Sequence, residues 1–207
     1  MRDNVNLNLL LTSYGYLFDE YREAIFFLTG EGAGKALMNY NMLTGEMLYI
    51  AHDGDTLALA NPKKVTNIRF GKREFIYTSK GYVEILAETN DYQTLLVHRK
   101  IKITDIKKQG AFGTTTGTVG IDNVPVMVKG KHNRSLLVNN EATFKKEITY
   151  YLQKGKSLYL GATVANFQKL FGKEQKERIN NYIKEAKIDL NKEEDIIRLF
   201  NFCASGN

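Results

Sequence analysis

The chain has 207 residues, 43% of them hydrophobic and 25% charged, which is enough for one good core, or one core with a small appendage. Twelve Tyr and eleven Phe, with no Trp, favour pleated, half-buried surfaces and weigh against disorder along the whole chain. One cysteine, Cys203, excludes an internal disulfide and a cysteine zinc cluster, and the net charge of +6 leaves nucleic acid, anionic lipid or an acidic protein open as partners.

At the start, Val5, Leu7 and Leu9 alternate with Asn4, Asn6 and Asn8, the period of a strand. Residues 14–22 are Tyr-rich and acidic and suit a loop or a helical turn. From about 23 to 103 apolar stretches recur at Ala24–Leu28, Ala36–Met42, Met47–Ala51, Thr56–Ala60, Val65–Phe70, Glu74–Thr78, Tyr82–Ala87 and Thr94–Ile103. Turn residues separate them, among them Gly32 and Gly34, Thr44-Gly45, Asp53-Gly54-Asp55, Asn61-Pro62, Lys80-Gly81 and Asn90-Asp91, as in an antiparallel meander, sandwich or barrel. In Thr94–Ile103 the residues Leu95, Val97, Ile101 and Ile103 share one face, interrupted by Arg99. His98, Lys100 and Lys102 share the other, so His98 is expected to be solvated.

Residues 108–133 change character. The stretch Gly110–Gly120 is rich in Gly and Thr, hard to bury, and reads as a flexible loop or linker. Strands resume at Ser135–Val138, Phe144–Leu152 and Ser157–Leu160, with Gln153-Lys154-Gly155-Lys156 as a hairpin turn. The end is helical. Val164, Phe167 and Phe171, then Ile179, Tyr182, Ile183 and Ala186, then Ile196, Ile197, Phe200 and Cys203 fall at helical spacing, and Asn191 with Glu194 makes a capping box for the last helix. The expected fold is therefore mainly β, an antiparallel sheet forming a sandwich or partly open barrel over residues 1–160, with a C-terminal α-helical segment at 161–207.

Each chemical motif has a plainer reading beside it. Gly30–Lys35 resembles a phosphate loop, but Thr29 stands where the first glycine is needed and the following residues read as a strand, not a helix. Gly155-Lys156-Ser157 fails in the same way, with Tyr150 in the glycine position. His52, His98 and His132 lack a second His, Cys or carboxylate pair at ligand spacing, and His52–Asp55 suits a surface turn. Cys203 lies on an apolar helix face, where an inert thiol is the ordinary outcome. Glu193-Glu194-Asp195 suits the positive end of a helix without catalysis, and Asp19-Glu20 is a further carboxylate pair. Asn133-Arg134-Ser135 fits a glycosylation pattern that chance suffices to produce.

The charge is uneven: residues 1–60 hold three Lys/Arg against eight Asp/Glu, and residues 61–160 hold eighteen against eight. Basic and aromatic residues interleave at Arg69, Phe70, Lys72, Arg73, Phe75 and Tyr77, which strand alternation explains with the rings turned inward, so nucleic acid is not an expected partner. No apolar run reaches the roughly 18 residues that span a bilayer, and Met1–Asn4 lacks the start of a secretion signal.

Four segments together carry a resemblance: Tyr14–Tyr21, Ala36–Asn41, Gly45–Tyr49 and Leu57–Pro62, with the Gly/Thr-rich middle and the ending Phe167–Phe171, Ile179–Lys187, Glu193–Phe202. They look like a group of secreted or periplasmic proteins of Bacteroidetes-type bacteria, without an assigned activity. The resemblance implies an envelope location and a removed leader, and it transfers no functional residues. The expected role is a non-catalytic envelope protein that binds a protein or surface polymer, with no cofactor or metal. A small-ligand carrier with an apolar cavity, and an enzyme whose carboxylates meet only in space, remain alternatives.

Overall fold

The computed structural model describes residues 3–6, 9–30, 32–109, 115–118, 140–155, 157–159 and 161–206. Among them the fold is mainly antiparallel β, followed by three short α-helices at the C-terminus. The strands are β1 (Asp3–Asn6), β2 (Arg22–Leu28), β3 (Gly32–Asn41), β4 (Glu46–Ile50), β5 (Thr56–Ala58) and β6 (Val65–Phe70). They continue as β7 (Arg73–Thr78), β8 (Gly81–Glu88), β9 (Gln93–Gln109), β10 (Thr115–Thr118), β11 (Asn140–Lys154) and β12 (Ser157–Tyr159). The helices are α1 (Val164–Phe171), α2 (Lys176–Glu185) and α3 (Glu193–Ala204). The chain forms two compact units, Met1–Phe70 with Arg99–Glu147, and Gly71–His98 with Ile148–Asn207.

In the first unit the strand order is β6-β2-β3-β4-β5, every pair antiparallel. Alternation decides the faces. Ala24, Met38, Tyr40, Met47 and Ile68 lie on one face and are buried there as core. Asn39 lies on the other face and is buried too, because its amide replaces a strand for the segment before β2. Its Nδ2 donates to the Phe18 carbonyl at 2.8 Å and its Oδ1 accepts from the Phe18 N–H at 3.2 Å. The Phe18 ring then packs on Phe70 at 5.0 Å, with the Arg22 guanidinium 4.6 Å from its centre.

In the second unit the chain's helical stripes find their partner. Phe167, Leu170, Phe171, Ile179, Ile196, Leu199, Phe200 and Cys203 bury themselves with Leu95 of β9 and Leu152 of β11 in one cluster. Each such side chain taken from water contributes about 1.5–3 kcal/mol, which short helices need because they are marginal alone. Arg178 fastens the end of α3: its Nη2 donates to the Phe202 carbonyl at 2.9 Å and its plane lies 4.1 Å over the Phe202 ring.

Several expectations need correction. His98 is buried, not solvated: on its face of β9, Leu96 packs beside Val83 of the neighbouring β8 and Tyr151 of the neighbouring β11, while the Leu95 face meets the helices, and residues 93–98 are buried on both faces. Lys100 and Lys102, beyond that cover, are exposed. The strand expected through Leu9 is present over Asp3–Asn6, residues 7 and 8 lie outside the described residues, and Leu9 instead caps Leu10–Tyr14, a π-helical turn closed by the Gly15 N–H on the Leu10 carbonyl at 2.7 Å. The capping box is absent. Helix α3 starts after Lys192, which caps with no side chain, and Asn191 donates to Asp189 Oδ1 at 2.9 Å. The reach-back instead comes from Asp195, whose Oδ2 accepts the Asp189 N–H at 3.0 Å. Within the Gly/Thr-rich stretch Thr115–Thr118 is a strand on β9, with a register shift at Gly117, since β-branched threonines suit a pleated ladder. The rest of 110–133, the Asn133–Ser135 pattern and the Ser135–Val138 strand lie outside the described residues. Lys154 pairs with Ser157, so β11 and β12 are joined by residues 155 and 156. Gly155 takes the positive φ of 55° that such a turn requires.

Candidate functional site

The first unit holds a groove that follows from strand lengths. Strand β3 has ten residues and β4 only five. Their pairing runs from Asn41–Glu46 to Met38–Tyr49 and stops. Beyond that point Gly32–Leu37 continues on β2, whereas β4 ends at Ile50 and the chain turns through residues 51–55 into β5. The two strands part, and a groove of about 600 Å³ opens between them. Ala36 and Leu37 form one wall, and Tyr49, Ile50 and Ala51 the other. Phe26 of β2 and Leu59-Ala60, just after β5, complete it.

The link after β5 is short for its task. β6 lies four strands from β5 in the order, about 19 Å at ~4.8 Å per strand, and only residues 59–64 join them. At ~3.4 Å per residue the link must run nearly straight or the strands must curve toward it. The Leu59 N–H donates to the Met47 carbonyl at 3.0 Å, and the Thr29 N–H donates to the Lys64 carbonyl at 2.9 Å, which ties both ends of the link down. The groove is thus the outer end of the core face. Ala24, Met38 and Met47 are buried at the inner end, and Phe26, Ala36 and Tyr49, on the same face, are only half-buried at the outer one.

Polar groups at the groove are few: among the described residues Lys35 and His52 stand in its lining, with no Asp or Glu. Lys35 projects from the opposite face to Ala36, and its Nζ lies 3.6 Å from Glu23 Oε1, both side chains being about two-thirds exposed. Such a pair is screened by water and contributes about 0–1 kcal/mol.

The residues singled out by sequence do not converge. His52 is exposed in the turn after β4, where the Asp55 N–H donates to Asp53 Oδ1 at 3.0 Å, a turn held by its own aspartate. His98 is buried in β9, and His132 lies outside the described residues. Gly30–Lys35 leads from a turn into β3, and Gly155 stands between two strands, so neither loop opens a helix that could cradle phosphate. Among the described residues no three His, Cys, Asp or Glu side chains gather. Glu84, a buried carboxylate, is held bidentately by Arg73, at 2.6 Å from Nε and 2.8 Å from Nη2. Burial pushes the Cys203 thiol up to about 12, against a smaller opposing pull from Arg178, which leaves it a poor nucleophile. Phe70 and Phe75 are each buried, as strand alternation requires. Asp19 and Glu20 are exposed, and Glu193, Glu194 and Asp195 occupy the first turn of α3.

Phe26, Ala36 and Tyr49 were not legible as a site. In sequence they look like ordinary inward residues of strands, and only the overhang of β3 beyond β4 uncovers them. No helix among the described residues is long and apolar enough to cross a membrane. No family model, curated protein or solved structure matches this chain.

Proposed function

We propose that this chain is a non-catalytic binding module that engages a protein or surface polymer through the groove between β3 and β4, and that it acts in the cell envelope. The observation that carries the binding role is the uncovered outer end of the core face, where Phe26, Ala36, Tyr49 and Leu59 stay half-buried in an open groove. Apolar surface left concave and accessible is the usual mark of an interaction site. The envelope location rests on the sequence resemblance alone. A small-ligand carrier is the second reading. The groove volume of about 600 Å³ favours it, since it lies within the range of small-molecule sites, and the open mouth weighs against it.

Thermal melting of the chain against a panel of peptides, glycans and lipophilic small molecules tests the proposal, because a binder of the native state raises the midpoint. An Ala36→Arg variant fills the groove from its floor and should lose every shift that the unaltered chain shows. Shifts that survive Ala36→Arg would place binding elsewhere and refute the role given to the groove.

A further inference from the structure

We infer that the groove receives an extended, partly acidic peptide, which adds itself as a strand to the outer half of β3. This rests on the binding role proposed above and names its partner. The backbone supplies the first reason. An extended strand offers its N–H and C=O groups alternately to its two sides. Over Gly32–Leu37 one side of β3 is taken by β2, while β4, which takes the other side from Asn41 to Met38, ends at Ile50, and among the described residues no further strand pairs there. A strand edge of this kind pairs readily with another chain.

The side chains supply the second reason. Those of an added strand would alternate between the faces of β3. On the face of Gly34 and Ala36, β3 carries only small side chains; the Phe26 ring covers Gly34, and Tyr49 and Leu59 line the groove together with Ala36. Apolar side chains of the incoming strand fit there. On the opposite face stand Lys35 and Leu37. Charge supplies the third. Among the described residues the lining holds Lys35 and His52 and no acid, and the exposed pairing of Lys35 with Glu23 is weak enough to be shared with a carboxylate from the partner. Alternation of apolar and acidic residues matches both faces at once.

The test titrates the whole chain into a fluorescein-labelled Val-Glu octapeptide repeat and follows polarisation. Companion probes are the same peptide N-methylated at alternate residues, a Val-Lys repeat, and 8-anilinonaphthalene-1-sulfonate as a lipophilic probe that cannot form a ladder. N-methylation on the edge-facing side should weaken binding by about tenfold or more, since it removes ladder hydrogen bonds. The Val-Lys repeat should bind more weakly than Val-Glu, and Lys35→Glu, at an exposed position that does not threaten folding, should reverse that order. Equal binding of the N-methylated peptides overturns strand addition. So does a peptide that fails while the naphthalene probe binds the unaltered chain and not Ala36→Arg, and the groove then keeps its binding role with another occupant. Failure of both probes removes the binding role as well. Self-association abolished by Ala36→Arg overturns the peptide in favour of a second copy of the chain.

Discussion

Phe26 stands directly across from Gly34 in the β2–β3 ladder, and its ring occupies the space a side chain at residue 34 would need. A Cβ built there would lie 2.4 Å from the ring's Cζ and 2.9 Å from Cε2, closer than any real contact. The absence of a side chain at residue 34 therefore lets the ring lie over β3, where it lines the groove.

Gly34→Ala should swing the ring into the groove at a cost of about 1 kcal/mol, and Gly34→Val should cost about 1–3 kcal/mol, as overpacking does. Urea denaturation measures the loss, and the naphthalene-sulfonate titration measures the narrowed groove. A Gly34→Val chain with unaltered stability and unaltered probe binding would show that the ring does not depend on the glycine.

Arg73 and Glu84 form a partly buried ion pair in the second unit, with Glu84 only 6% exposed and Arg73 35% exposed in their side chains. Removing one partner leaves the other charged group short of its hydrogen bonds. Arg73→Ala is expected to lose about 3 kcal/mol, near the lower end for a broken buried pair because Arg73 reaches water. The joint replacement Arg73→Met with Glu84→Leu should lose clearly less than the two single changes added together. Additive losses in denaturant titrations would mean the two groups do not act as a pair.

Alkaline pH should weaken the fold. Burial pushes Cys203 from 9.0 to about 12 and Tyr40 from 10.0 to about 12. Between about pH 9 and 12 the unfolded chain releases these protons while the folded chain keeps them. The unfolded state then binds fewer protons, so the free energy of unfolding falls as pH rises through that window; below it, neither group contributes to the slope. Melting midpoints from pH 7 to 11 check the direction, and comparison with Cys203→Ala isolates the thiol. In the native chain at pH 8, Cys203 should resist iodoacetamide until denaturant is added.

Much of the fold was legible because hydrophobic alternation and turn residues are local signals. The strands from Ala24 to Ile103 and the three helices follow from residues read in place. What failed depended on distant cover. His98 sits among Lys100 and Lys102 in a pattern that reads as wet, yet it is buried where Val83 and Tyr151 of the neighbouring strands β8 and β11 pack on the same face as Leu96. Asn191 offered a cap by spacing, yet Asp189 took its N–H and left Lys192 at the helix start. The groove escaped the sequence for the same reason. The stretches Ala36–Met42 and Met47–Ala51 look nearly matched in length, whereas Gly32–Lys35 extends β3 through glycines that read as a turn.

Amide hydrogen exchange along β3 tests the central claim, that this strand parts from β4 and leaves an edge for a partner. In the chain alone, alternate amides within residues 32–37 should exchange much faster than their neighbours, while those of 38–41, held between two strands, should be slow. Uniform slow exchange from 32 to 41 would mean the edge is already filled, and the groove could not take a strand.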